Sequence, residues 1–284
     1  MPCESVRAPV TYESPQDLSS ALGTLAQTGG QIIAGGTDVY PSQGHGQRAQ
    51  HYLDVTQITG FRDITVTGGV VRFGAATRWS QIVRADLPPA FDALRQAARE
   101  VGSVQIQNAG TLAGNLCNAS PAADGVPPLL ALDAQVELHS AARGRRVLPL
   151  SAFITGVRRT ARAADELMTA IIVPKPPETA YSAFEKLGSR RYMVISITMC
   201  AAVIALDSAG RINHARVAVG ACSPVACRLP ALETDLIGQR LADVQVAPHH
   251  LTLLSPIDDV RGDAAYRLDA VAEQITRAIT RAKA

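Results

Sequence analysis

No stretch of the sequence approaches the roughly 18 consecutive apolar residues that a membrane-crossing helix needs, and the first ten residues hold Glu4 and Arg7 with no apolar signal core. Both absences point to a cytoplasmic protein with no membrane span. Charge is also sparse, 18% of residues with a formal net charge of +2, the balance of an ordinary globular protein rather than of a polyanion binder. Basic residues cluster at Arg143, Arg145 and Arg146 and at Arg158, Arg159 and Arg162. No aromatic side chains alternate with them to stack bases, so they read as solvated surface and nucleic acid is excluded as a partner. Cysteines are few, odd in number and scattered (Cys3, Cys117, Cys200, Cys222, Cys227), which excludes a disulfide framework and fits free thiols in a reducing compartment. Cys222 and Cys227 have the gap that opens a plant-type iron–sulfur motif, but Pro230 stands where the third cysteine would fall. His139, His214, His249 and His250 have no ligand-like spacing to carboxylates or cysteines, so no metal is assigned.

What is present suffices for two compact units in 284 residues. Ser14-Pro15-Gln16-Asp17 before Leu18, Ala21, Leu22 and Leu25 predicts a capped amphipathic helix closed by Gly29 and Gly30. A short apolar strand, 31–34, then runs into Gly35-Gly36-Thr37-Asp38. Strands follow at 51–55, 64–66 and 70–74, the last two joined by a Gly68-Gly69 hairpin turn. Helical spacing recurs over 79–84 and 90–101. Residues 110–128 are small and almost uncharged, and read as a binding loop. A hairpin over 135–139 and 146–148 and a strand over 166–173 end at Pro174-Lys175-Pro176-Pro177, a stiff breaker that places a domain boundary there. Beyond it, strands at 181–187, 195–206 and 212–220 predict an antiparallel sheet, with helices over 229–237 and 264–281 packed on it. The expected fold class is α+β, with domains at 1–176 and 177–284.

Two segments carry the chemistry. Ile33-Ala34-Gly35-Gly36-Thr37-Asp38 and Ala109-Gly110-Thr111-Leu112-Ala113-Gly114-Asn115 are each rich in glycine, and successive glycines at positive φ turn neighbouring amides inward into a nest for a phosphate oxygen. Two such nests suit a pyrophosphate, with the hydroxyls of Thr37 and Thr111 as further donors. Neither segment matches the G-x-G-x-x-G fingerprint at a strand-to-helix turn, and there is no Gly-Lys-Ser or Gly-Lys-Thr, so the usual NAD and ATP motifs are absent. Asp124, just before a run of prolines and leucines, reads equally as the cap of a helix starting near Val126 or as a ligand. Leu167 reads as core, Tyr192 as core at a domain junction, and Lys186 and Arg190 as solvated.

The two segments together, the second extended by Leu116-Cys117-Asn118-Ala119-Ser120-Pro121-Ala122-Ala123-Asp124, resemble the medium, flavin-binding subunits of molybdenum hydroxylases. The resemblance runs on through Asp165-Glu166-Leu167, Phe184-Glu185-Lys186, Arg190-Arg191-Tyr192 and Asp259-Val260-Arg261-Gly262, covering essentially the whole chain in order. It implies a two-part FAD-binding domain of the vanillyl-alcohol-oxidase type, followed by a smaller C-terminal domain of antiparallel sheet and helices. It also implies site roles. Ile33, Ala34, Gly35, Gly36, Thr37 and Asp38, with Thr111, Gly114 and Asn115, would hold the pyrophosphate and neighbouring atoms. Asp124 and Asn115 would take the ribityl hydroxyls, Leu167 would pack near the flavin ring, Lys186 would bring a cation to it, and Tyr192 would lie close to the isoalloxazine. Ala113 departs from the family, which has glycine there, and would weaken the contact if that position had to be left-handed.

The function so implied is an electron relay. Electrons would come from the iron–sulfur clusters of a small two-iron two-sulfur subunit, after substrate is hydroxylated on a large molybdopterin subunit, and FAD would pass them to NAD, oxygen or another acceptor. A self-contained FAD-dependent oxidase or reductase is the alternative enzyme, though no acid or base with distinctive spacing stands out for it. A flavin-free assembly subunit, suggested only by Ala113, is the non-enzymatic one.

Overall fold

The computed structural model of the chain describes residues 9–43 and 49–283; Cys3, Glu4 and Arg7 lie outside the described residues. Helix α1 (Leu18–Thr28) forms where predicted, because Asp17 accepts the Ser20 amide as N-cap and the Gly29 N–H closes the other end on the Leu25 carbonyl. It buries Ala21, Leu22 and Leu25. The helix carries the chain between parallel strands of a small sheet, β1 (Thr11–Glu13), β2 (Gln31–Ile33) and β3 (His51–Asp54), in the order β1-β3-β2. Short helix α2 (Val39–Ser42) follows the first glycine segment.

The second sheet is antiparallel. Its strands are β4 (Ile64–Thr67), β5 (Val70–Gly74), β6 (Gln135–Ser140), β7 (Gly144–Pro149) and β10 (Glu166–Pro174), in the order β4-β5-β10-β6-β7. Gly68 and Gly69, at φ +58° and +81°, make the tight turn between β4 and β5. The arginines near β7 are exposed, as expected of solvated surface, yet they are not free: Arg145 and Arg72 each reach Glu137 at 2.7 Å, Arg146 reaches Glu166 at 2.7 Å, and Arg143 pairs with Asp165.

Between β5 and β6 the chain crosses over through five helices: α3 (Trp79–Arg84), α4 (Asp92–Glu100), α5 (Val104–Ala109), α6 (Leu112–Asn118) and α7 (Val126–Ala131). This corrects the expectation of one long binding loop over 110–128, most of which is helical. Thr111 caps α6 by accepting the Gly114 amide at 3.1 Å, and the helix buries Leu112, Ala113 and Leu116. Pro127 and Pro128 occupy the first turn of α7, where an amide hydrogen is not required. Asp124 does not cap that helix, whose N-cap is Gly125 without a side-chain bond. After β7, α8 (Leu150–Phe153) leads to a ribbon of β8 (Ile154–Gly156) and β9 (Arg159–Thr160).

The third sheet contains β11 (Ala180–Leu187), β12 (Thr198–Leu206), β13 (Ile212–Gly220) and β14 (Cys227–Arg228), in that order and antiparallel. Helices α9 (Pro230–Leu236) and α10 (Ala264–Arg281) complete the second half. One face of the sheet, with Cys200, Ala202, Ile204 and Val217, joins Val271, Ile275 and Ile279 of α10. The other, with Phe184, Met199, Ala201 and Val203, joins Phe91, Leu94 and Leu129 of the first half. The sheet is therefore a middle layer, which explains why β12 is apolar without alternation. Helix α4 also protects the edge of β11: Gln96 accepts the Phe184 amide at 2.7 Å, and Ser182 accepts the Ala93 amide at 2.8 Å. The Asp259–Gly262 segment is structural within the chain, since Asp259 binds both Arg261 and the buried Arg267, whose guanidinium also reaches the Ile197 carbonyl.

Candidate cofactor-binding cleft

The first glycine segment begins at the end of β2, where Ile33 is buried and its carbonyl accepts the Val55 amide at 3.0 Å. Gly36 has φ +68° and carries the ring of Tyr40 close against its α-carbon, so a side chain there would be strained and would meet that ring. Gly35 has ordinary φ and is required for a different reason: a Cβ on it would overlap the Ala109 carbonyl and lie 2.8 Å from the Gly110 α-carbon. The two segments are therefore in direct backbone apposition.

The expected pair of nests is corrected in detail. Gly36 is the one positive-φ residue in the first segment, and the second is a capped helix start. In it the amides of Leu112, Gly114 and Asn115 are taken by the Thr77 carbonyl, the Thr111 hydroxyl oxygen and the Thr111 carbonyl. Thr111 keeps its hydroxyl proton to donate. Ala113 has no positive φ, so a Cβ is accommodated there within α6 and the backbone objection to this departure falls away.

Both segments line one cleft of about 710 Å³, together with Val55, Trp79, Arg158, Arg162 and Leu167. Of the residues singled out in the sequence, Ala34, Gly35, Gly36, Thr37, Asp38, Thr111, Gly114, Asn115 and Leu167 lie on this wall. Ile33 sits behind it. Asp124 and Lys186 are not in the lining; they are paired at 2.7 Å beside it, nearly buried. Burial pushes the Asp124 carboxyl up, and Lys186 and Ser196 oppose that. Lys186 is thus half of a neutral pair rather than a bare cation, so its field at a distance is that of a dipole. Tyr192 is neither core nor in the cleft; it stands exposed on the turn between β11 and β12, with Arg191 stacked 5.3 Å from its ring centroid.

Three features were not read from sequence. Trp79, the only tryptophan, is buried with its indole against Gly110 and Gly125; a Cβ on Gly125 would lie 2.9 Å from Asn115 Oδ1 and would strike the indole. A lone tryptophan beginning a helix pattern was the available signal. Arg158 and Arg162 are brought to the cleft around β9 and make it cationic at one end, correcting their reading as plain solvated surface. His249 and His250 do meet a carboxylate, Asp235, at 3.3 and 3.0 Å, the one such group of potential metal ligands among the described residues. The Ala247 amide donates to His250 Nδ1 at 3.0 Å, however, so Nε2 carries the proton and donates to Asp235 instead of offering a lone pair to a metal.

The cleft suits a long, anionic, hydroxyl-bearing ligand. Asn115 Oδ1 is buried without a hydrogen-bond partner, and an orphaned acceptor of this kind calls for a donor. Glycines leave no side chains between the two segments and the ligand, arginines supply positive charge, and Val55 and Leu167 supply apolar wall. These residues fit FAD, with its diphosphate, ribityl hydroxyls and aromatic ends.

The comparisons with known proteins agree. Residues 7–176 match the family model described as the FAD binding domain in molybdopterin dehydrogenase, and residues 182–282 match the CO dehydrogenase flavoprotein C-terminal domain. The chain is 33% identical over 263 residues to the xanthine dehydrogenase FAD-binding subunit of Escherichia coli O157:H7, covering 90% of this chain and 87% of that one. It is 34% identical to the nicotinate dehydrogenase FAD-subunit of Eubacterium barkeri, covering 81% and 80%. Among solved structures, carbon monoxide dehydrogenase from Hydrogenophaga pseudoflava superposes with a TM-score of 0.85 at 26% identity, covering 96% of this chain and 97% of that one.

Proposed function

This chain belongs to the family of FAD-binding subunits of molybdenum hydroxylases, and on that premise we propose that it is the electron relay of such a complex. It takes electrons from the iron–sulfur clusters of a small two-iron two-sulfur subunit, beside a large molybdopterin subunit, and passes them to NAD, oxygen or another acceptor. Bound FAD supplies the chemistry that joins one-electron donors to two-electron acceptors. This chain's residues hold and orient it. Residues 34–38, backed by Ile33, and the Thr111 hydroxyl face the diphosphate, Arg158 and Arg162 balance its charge, and Asn115 Oδ1 accepts from a ribityl hydroxyl. Asp124 and Lys186 keep spare hydrogen-bonding sites for the same chain and the ring, Leu167 gives apolar contact, and Tyr192 covers the ring from its exposed turn. Residues 1–176 form the FAD-binding domain and 177–284 the C-terminal domain. Free thiols at Cys117, Cys200, Cys222 and Cys227 are in keeping with a cytoplasmic site.

The observation that carries this proposal is the backbone contact of Gly35 with residues 109–110 beside the unpartnered Asn115 oxygen. The test is direct. Denaturing the purified protein is expected to release flavin, and adding FAD to the stripped protein is expected to quench the single Trp79, which sits in the cleft wall. A protein that takes up no FAD and shows no change in Trp79 emission would overturn the proposal.

A further inference from the structure

We propose that Ser196 is a positioning residue that aims the Asp124 carboxylate at the cofactor; this rests on the reading that FAD fills the cleft and that Asp124 takes its hydroxyls. Ser196 is 1% exposed and donates its hydroxyl to Asp124 Oδ1 at 2.7 Å. Lys186 Nζ donates to the other oxygen, Oδ2, at 2.7 Å and to the Glu100 carbonyl at 3.3 Å. Four pieces of chain meet here: the end of α4, the turn before α7, the end of β11 and the residue two before β12.

The hydrogen-bond inventory shows what this arrangement leaves for a ligand. A carboxylate has about four acceptor sites and an ammonium three donors. Ser196 and Lys186 occupy one site on each carboxylate oxygen, and Asp124 and Glu100 occupy two of the Lys186 hydrogens. What remains is one acceptor site on each oxygen and one N–H, a mixed set that suits a polyol chain. Without the serine hydroxyl, Lys186 could take both oxygens of Asp124 and turn the carboxylate away. Asp124 adjoins Gly125, whose α-carbon lies against Asn115 Oδ1 and Trp79, two residues of the cleft wall.

Ser196 is itself fixed. Its neighbour Ile197 donates its amide to the Leu187 carbonyl at 2.7 Å and accepts from Arg267, a buried guanidinium held in turn by Asp259 at 2.7 Å. The serine hydroxyl is therefore delivered to Asp124 from a rigid corner, which is what a positioning residue requires.

The experiment uses the full chain stripped of flavin, with Ser196→Ala, Ser196→Cys, Asp124→Asn and the Ser196→Ala/Asp124→Asn double variant. Loss of the buried Ser196–Asp124 bond is expected to lower the unfolding midpoint of the flavin-free Ser196→Ala chain, and turning the carboxylate away is expected to weaken FAD binding about tenfold beyond that. Ser196→Cys keeps the volume but offers a poor donor, and is expected to lose affinity similarly even if the alanine variant folds badly. In the Asp124→Asn background the further loss from Ser196→Ala is expected to vanish, and both single variants should alter the visible circular dichroism of the bound flavin in the same sense. Full affinity in Ser196→Cys, or losses that multiply in the double variant, would overturn the role of Ser196. Failure of the wild-type chain to bind FAD would instead overturn the cofactor reading on which it rests.

Discussion

Asn115 shows how a binding residue differs from a structural one at the scale of a single side chain. Its Oδ1 is buried next to Trp79 and Gly125 with nothing to accept from, a situation that costs about 1–3 kcal/mol. Asn115→Ala should therefore leave the flavin-free chain at least as stable as wild type while weakening FAD binding tenfold or more. Thermal melts with and without FAD check this; a variant that is clearly destabilised yet binds FAD normally would show that the oxygen serves the fold alone. Much at this scale was legible in the sequence, because glycine is needed at 35 and 36 for reasons of space and φ that a side chain cannot meet. The consequence of Ala113 was not legible. Whether that position needed a left-handed backbone depends on the helix begun by Thr111, and nothing in a run of small residues announces that helix. Nor could the 2.7 Å pairing of Asp124 with Lys186 be read from residues 62 positions apart.

Among the elements, those with a clear period were legible: α1, the hairpin of β4 and β5, the antiparallel strands of the second half, and α10 with its buried stripe of Val271, Ile275 and Ile279. Helix α7 was anticipated by its start near Val126, but α6 was missed because capping and tertiary contacts, not a repeating apolar pattern, stabilise it. The second sheet carries a pH dependence of its own. Burial pushes the Glu137 carboxyl up, but Thr169, Arg145 and Arg72 together bring it down to about 2 from its ordinary 4.5. A depressed carboxylate stabilises the fold above the unfolded-state value, and that contribution is lost as pH falls through the folded one. Stability measured by urea unfolding is accordingly expected to decline between about pH 4.5 and pH 2. Glu137→Gln should be weaker at neutral pH and flatter across that window; a variant with the wild-type slope would remove Glu137 from this role.

For the whole molecule, the proline-rich breaker at 174–177 marks where the chain passes from one half to the other, but it gives no hint of how closely the halves combine. The sheet of the second half presents Phe184, Met199, Ala201 and Val203 to Phe91, Leu94 and Leu129, and each of these side chains other than Ala201 contributes roughly 1.5–3 kcal/mol when buried. Residues 177–284 expressed alone should therefore aggregate or bind hydrophobic dyes, and co-expression with 1–176 should rescue them. A soluble fragment with a sharp melt of its own would show that the halves fold independently.

Because β12 is bonded along both edges and covered on both faces, its amides should be the last in the chain to exchange with deuterated solvent. Parting the halves would first require stripping one whole side from that strand. Any breathing that admits a cofactor is thereby expected to leave β12 in place.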